Sequence, residues 1–292
     1  MPLVSVIIPT FNRAQKVVRA ISSVLFQTFS DYDIIVVDDG SQDNTEASVA
    51  RFHGPISYIA RSTNRGVSAA RNRGVLRSTG PLVAFLDSDD YWLPEKLAIQ
   101  TAFMESNPGT DICQTEEIWL RKGRRVNPKK RHLKPSGDIF EPSLKLCLVS
   151  PSAVMMRRSL LDKVGLFDEQ LPACEDYDLW LRICCNHRVE LIKKALVVKE
   201  GGHPDQLSSR YFGMDRFRIR ALEKLIKSGP LSNAQLKAAF EELSYKCEIY
   251  GKGCLKRGKN SEGAYYLGLP GSMKKELASL NKNPCYGQMR GS

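Results

Sequence analysis

No stretch of this chain approaches the roughly 20 consecutive apolar residues that a membrane-spanning helix requires, so none is expected to cross a bilayer. The opening "PLVSVIIPTF" lacks the basic leader and small-residue cleavage site of a signal peptide, and it runs straight into a polar turn as a buried strand does. A cytoplasmic protein is the expectation. Cysteine occurs eight times but never as Cys-x-x-Cys, and Cys184 and Cys185 are adjacent, a poor arrangement around one metal ion. Free thiols in a reducing compartment are expected instead. Two phosphate-binding signatures are also missing. No G-x-G-x-x-G follows the first strand and no Walker A loop occurs anywhere, which weighs against hydride transfer and P-loop hydrolysis.

What is present is enough for a core: 292 residues, 42% of them hydrophobic, with a net charge of +11 that would suit nucleic acid, anionic lipid or a phosphorylated ligand. The first hundred residues alternate short β-rich runs with amphipathic segments, the pattern of an α/β domain with a largely parallel sheet. "VSVIIP", "DIIVVD", "ISYIA" and "PLVAFL" are the expected strands. Asn12 is placed to cap a helix with Val17, Val18, Ile21, Val24 and Leu25 at helical spacing, and Asp43 with Glu46 reads as a capping box. The strands at residues 3–8, 33–37 and 82–86 each deliver polar residues at their C-terminal ends: Thr10 and Asn12, Asp38 and Asp39, Asp87 and Asp89. In open α/β sheets that edge is where ligands bind.

In "DSDDYWLPEKL", Pro94 fits a first helical position and Glu95 a first turn, which puts the helix cap near Leu93 and leaves Asp87 and Asp89 too far upstream to serve it. Two carboxylates two residues apart can instead present oxygens to a hard cation, and Mg²⁺ or Mn²⁺ bound by few carboxylates completes its shell with water and substrate phosphate. Asp90 is left to the turn itself.

The blocks "VSVIIPTFNR", "IIVVDDGSQDNT", "NRGVSAARNRG", "FLDSDD" and "CEDYDLWLR" occur in this order, and together they resemble family 2 glycosyltransferases of the GT-A fold over roughly residues 3–212. The resemblance implies a Rossmann-like open mixed sheet flanked by helices, and transfer of a sugar from a nucleotide-diphosphate donor to an acceptor hydroxyl. It further implies that Pro9, Thr10 and Phe11 touch base and ribose and that Asp39, with Asp38 as rival, accepts from a uracil-type imide. Arg71 would hold the nucleotide, Asp87 and Ser88 would lie near the ribose, and Asp89 would bind the Mg²⁺ or Mn²⁺. Asp176 matches the position of the general base in an inverting reaction, with Glu175 orienting it. His203, after two glycines, matches positions that contact metal or diphosphate. Each has a plainer alternative: a surface ion pair for Arg71, an acidic turn for Asp38 and Asp39, helix-dipole acids for Glu175, Asp176 and Asp178, and a structural histidine for His203.

From residue 113 the texture changes. "WLRKGRRVNPKKRHLKPSG" is basic, without an acid between Trp119 and Gly137, and is expected to form a hairpin or long loop. It is either simply solvated or faces a phosphate-bearing lipid or charged acceptor, which would allow peripheral contact with the inner face of a membrane. Nucleic acid is disfavoured because stacking aromatics are not interleaved in the run. "SPSAVMMRRSLLDKVG" reads as a strand entering a helix and "CEDYDLWLRICC" as a buried helix. Past Tyr211 the chain is helical and charged, with one helix-turn-helix at residues 233–270 whose faces need a neighbour, so homo-oligomerisation stays open.

The expected organisation is residues 1–112 for nucleotide-sugar binding, 113–212 for the acceptor, and 213–292 as a C-terminal helical extension. The function class is sugar transfer to a glycan, glycolipid or other hydroxyl acceptor, in cell-surface polysaccharide or glycoconjugate synthesis. A nucleotidyltransferase, a non-catalytic nucleotide-sugar-binding protein and a basic nucleic-acid binder are the rivals.

Overall fold

The computed structural model describes residues 1–127, 129, 132–202, 211 and 213–280. Its first half follows the apolar periodicity. Strands β1 (Val4–Thr10), β2 (Tyr32–Asp38), β3 (Ile56–Ala60) and β4 (Leu82–Phe85) lie parallel in the order β3-β2-β1-β4, joined by helices α1 (Ala14–Leu25), α2 (Thr45–Val49) and α3 (Val67–Arg77). β1 runs past the expected residue 8 because Pro9 and Thr10 stay in register with Val37 and Asp38.

Beyond β4 the sheet turns mixed. Following β5 (Tyr91–Trp92), α4 (Lys96–Ser106), β6 (Ile112–Arg121), β7 (Arg124–Val126), α5 (Phe140–Lys145), β8 (Val154–Arg157), α6 (Arg158–Val164), α7 (Glu175–Cys184) and β9 (Val189–Gly201), the spatial order continues β4-β8-β6-β9-β5. β8 is antiparallel to both neighbours, whereas β6 and β9 are parallel. Their register slips from Thr115 opposite Ile192 to Glu117 opposite Val197, a bulge that leaves extra residues on β9. β7 folds back on β6, so the basic run opens as a hairpin; its turn residues Lys122 and Gly123 have φ of 51° and 74°, the left-handed pair that matches strand twist.

Alternation along the strands sorts the core into two faces. Val4, Val6 and Ile8 of β1 pack with Val17, Ile21 and Val24 of α1 and Leu97 and Met104 of α4. Ile7, Val83 and Phe85 face the other way, joining Leu179, Trp180 and Ile183 of α7. That second core continues into α8 (Asp215–Ser228), α9 (Asn233–Leu255) and α10 (Asn260–Leu280) through Leu222, Leu243 and Met273. Among the described residues no helix is long and apolar enough to cross a membrane, and the seven described cysteines carry free thiols.

Three local expectations are corrected. Asn12 does not cap α1: it sits at φ 50°, its Oδ1 accepting from Gln42 N, while Asp43 Oδ2 accepts from Ala14 N. Asp43 therefore clips two helix starts together, since its Oδ1 also accepts from Thr45 N, and the Asp43–Glu46 capping box is not made. Pro94 is outside α4, which begins at Lys96, because Tyr91 and Trp92 are drawn into pairing with β9 and Leu93 N donates to Leu196 O.

Candidate active site

At the C-terminal edge of β1, β2 and β4 the chain encloses a cavity of about 730 Å³. Pro9, Thr10 and Phe11 come to it from the end of β1, Asp39 from β2, Arg71 from α3, Asp87, Ser88 and Asp89 from the turn after β4, and Glu175 and Asp176 from the start of α7. All of these were singled out in the sequence, and here they share one wall-to-wall space. Asp38 does not reach it. Its Oδ1 accepts from Ser41 N at 2.8 Å and its Oδ2 from the Tyr58 hydroxyl at 2.6 Å, so it braces the turn. Asp39 points inward, and burial pushes its carboxyl up although Arg65 N and Gly66 N donate to Oδ2 at 3.0 and 2.7 Å and Arg61 Nε lies 3.4 Å from Oδ1. His203 lies outside the described residues.

Arg71 holds the centre. Its guanidinium donates to Asp87 Oδ1 at 2.7 Å and Glu175 Oε1 at 2.8 Å, with both Arg71 and Glu175 about 4–5% exposed. A buried guanidinium is tolerable only when its donors meet carboxylates of this kind. α3 delivers it because Gly74, one turn on, lets the helix close on β1: a Cβ there would meet Ile7 Cγ2 at 2.4 Å. Burial alone would push the Asp87 carboxyl up, yet the Arg71 charge brings it below its ordinary range. Glu175 goes the other way. Burial and then the neighbouring Asp176 charge push it up to about 7, with Arg71 opposing.

The acids after β4 divide. Asp90 N donates to Asp87 O to close the turn, but the Asp90 carboxyl is also buried, accepting from Ser152 Oγ at 2.6 Å. Burial pushes it well above the usual carboxylate range, with Lys199 opposing and Asp89 and Asp87 adding to the rise. Asp89 faces the cavity mouth, 2.9 Å from an Arg13 amino group. Asp176 Oδ1 accepts from Tyr177 N at 2.7 Å, and Oδ2 accepts from the Cys147 thiol at 3.5 Å.

Sequence reasoning missed Arg13, Lys199 and Cys147, all of which line the cavity. Lys199 is the most informative. Burial would lower its ammonium, but Glu117, Asp90, Asp87 and Asp176 together raise it, so it stays a fixed positive charge in the floor; its Nζ donates to Ser150 Oγ at 3.0 Å. The signal was available, since "VVKEGG" ends a strand as "VVDDGS" does, and the rule applied to β1, β2 and β4 holds for β9. Among the described residues no group of three or more His, Cys, Asp or Glu side chains forms a cage for a metal. Asp89 offers hard carboxylate oxygens at the mouth, and one or two such ligands with diphosphate oxygens and water is how Mg²⁺ or Mn²⁺ is commonly held. The donor set fits an ion that arrives with a diphosphate.

Residues 5–165 match Glycosyl transferase family 2. Over 194 residues the chain is 32% identical to WfgD of Escherichia coli, a UDP-Glc:alpha-D-GlcNAc-diphosphoundecaprenol beta-1,3-glucosyltransferase, covering 65% of this chain and 73% of that protein. The structure of residues 1–349 of TarS from S. aureus in complex with UDP aligns with TM-score 0.66 at 23% identity, over 86% of this chain and 72% of that fragment. The mannosyltransferase PcManGT from Pyrobaculum calidifontis, in complex with GDP-Man and Mn²⁺, aligns with TM-score 0.63 at 17% identity, over 99% of this chain and 83% of that one. Of uncharacterized glycosyltransferases from Rickettsia that are 33% identical, the chain spans 32% of the length.

Proposed function

Because this chain belongs to glycosyl transferase family 2 and has the GT-A fold, we propose that it moves a sugar from a nucleoside-diphosphate donor, a UDP-sugar foremost, to an acceptor hydroxyl with inversion at the anomeric carbon. One observation carries the reading: Arg71 ties the Asp87-Ser88-Asp89 turn to the Glu175-Asp176 helix start inside one cavity. Acids for the donor and a carboxylate base thus face the same space. UDP in TarS and the UDP-Glc donor in the name of WfgD favour uracil, and the name of WfgD favours a lipid-diphosphate sugar as acceptor in cell-surface glycan synthesis.

In this reading Pro9, Thr10 and Phe11 flank the base, whose imide N–H donates to Asp39. Thr10 Oγ1 is buried without a hydrogen-bond partner among the described residues, a polar group suited to a ligand. Asp87 and Ser88 face the ribose. Asp89 would hold Mg²⁺ or Mn²⁺, which supplies Lewis-acid charge for the leaving diphosphate. Lys199 adds a fixed positive charge to the floor. Asp176 takes the proton of the acceptor hydroxyl as its oxygen bonds to the anomeric carbon; the bond from that carbon to the diphosphate oxygen breaks, and the nucleoside diphosphate leaves with the electron pair. Glu175, anchored by Arg71, holds the helix start that presents Asp176.

A donor screen tests this: incubation with several nucleotide sugars and Mn²⁺, with and without EDTA, and chromatography of the released nucleotide. Nucleoside diphosphate from one donor, suppressed by EDTA, is expected. Pyrophosphate release would make the chain a nucleotidyltransferase instead, and binding of UDP without turnover on any acceptor would reduce it to a binding protein.

A further inference from the structure

Next to the donor cavity lies a second one of about 450 Å³, sharing Lys199 and Glu200 with it and walled by the β6–β7 hairpin. Its wall is unlike that of the first. Trp119 stands opposite Val126 across the hairpin, half-buried, and its indole N–H donates to Glu117 Oε2 at 3.0 Å, which fixes the plane of the ring. Glu117 is itself pinned by Lys134 at 3.1 Å. The His132 ring closes one side, 5.5 Å from the indole and tilted by 57°. Around this anchored ring the exposed lining side chains are the cationic Arg121 and Lys129 beside the uncharged Val126 and Asn127, and the acid among the lining residues, Glu200, has its carboxylate held by Arg19 at 2.7 Å. A fixed aromatic face with cations at its rim recognises a ligand that is apolar on one flat side and anionic at one end.

We infer that this second cavity seats the acceptor of the proposed transfer, and that the acceptor presents a phosphate-bearing pyranose, its ring against Trp119 and its phosphate toward Arg121 and Lys129. The inference rests on the sugar-transfer reading and names the acceptor's chemistry within it. The shared Lys199 and Glu200 place the two cavities side by side, as a hydroxyl of one ligand must meet the anomeric carbon of another. The basic run without an acid between Trp119 and Gly137 thereby acquires a role that solvation alone would not require.

The chain has three tryptophans, and Trp92 and Trp180 are each 2% exposed, so quenching of intrinsic fluorescence by a soluble ligand reports Trp119. Titration with α-D-GlcNAc 1-phosphate, in the absence of donor, should quench it saturably. Inorganic phosphate and methyl N-acetylglucosaminide, each carrying half of the ligand's chemistry, should bind at least about tenfold more weakly, as should the phosphosugar to the double variant Arg121→Ala, Lys129→Ala. Lys129→Gln, a milder change on an exposed side chain, serves if the double variant misfolds by circular dichroism. A farnesyl-diphosphate-linked GlcNAc separates the sources: tighter binding than the free phosphosugar identifies a lipid-linked acceptor, and equal binding a soluble one, both within the inference. No saturable quench, or equal affinity for phosphosugar, phosphate and glycoside, or no loss in the variants, would overturn it. Because the titration omits donor, its failure is separable from failure of the donor screen, which would sink sugar transfer itself.

Discussion

At the scale of single residues, the site is a balance of buried charges, and two of its carboxylates make separable predictions. Asp176→Asn keeps shape and removes the base, so turnover should fall by about 100- to 10,000-fold while calorimetry still shows donor binding. Retained turnover would move the base elsewhere. Glu175 is raised from an ordinary 4.5 to about 7, so between these values the folded chain holds a proton that the unfolded chain has released. Its contribution to stability is complete below pH 4.5 and is lost as the pH rises through 7. Glu175→Gln should therefore flatten the decline of Tm across that window relative to the parent chain, by scanning calorimetry, and a parallel pair of curves would refute the assignment. The acids were legible in the sequence because each follows a strand or opens a helix. Asp38 and Asp39 were not separable there, since neighbouring residues on a strand end point oppositely and only the register with Ser41 and Tyr58 decides which one turns in.

At the scale of elements, the parallel half was readable because its strands are apolar, evenly spaced and separated by helices, so local pattern and fold agree. The second half was readable in part: the hairpin of the basic run, the strand entering a helix at β8 and α6, and the buried α7 were expected, whereas β5, the long β9 and the order of the strands were not. β5 is two residues long and is defined by its distant partner β9, and β8, four residues long, is placed in the sheet by β4 and β6, both far from it in sequence. Helix starts were misplaced for the same reason: Asp43 is taken by α1 across a gap of 29 residues, which no local capping rule can see. α3 gives an element-scale prediction. Gly74→Ala places a methyl against Ile7, and the helix must rise from β1 at a cost of about 1–3 kcal/mol. Arg71, one turn earlier, rises with it. Urea unfolding should show the lost stability, and UDP binding should weaken together with it; full stability in the variant would mean that the helix rests less tightly on β1.

At the scale of the whole molecule, the change of texture near residue 213 marks a change of element type, while the core runs across it. Phe217, Ile219, Leu222 and Ile226 of α8 belong to the same buried cluster as Trp180 of α7, and Lys224 joins Asp168 and the buried Asp178 at 2.7 and 2.8 Å. Truncation after residue 212 should strip one side of the helix that carries Asp176, leaving a chain whose far-ultraviolet circular dichroism loses only the signal of the removed helices while its near-ultraviolet signal is lost. A truncated chain that keeps its near-ultraviolet spectrum and binds UDP would show that α8–α10 are dispensable for the fold. The bulge between β6 and β9 reaches equally far. Side chains alternate along a strand, so the register slip sets the phase in which β9 arrives at the cavity, with Lys199 turned to Glu117, Asp87 and Asp90. Deleting the exposed Lys193 would draw β9 back by one residue and bring Glu200 into the slot of Lys199, a carboxylate in place of the ammonium, lowering Tm without substituting any residue of the cavity. The sign of the floor is written in the number of residues between Ile192 and Val197 as much as in their identity, so insertions and deletions there act as charge mutations at a distance.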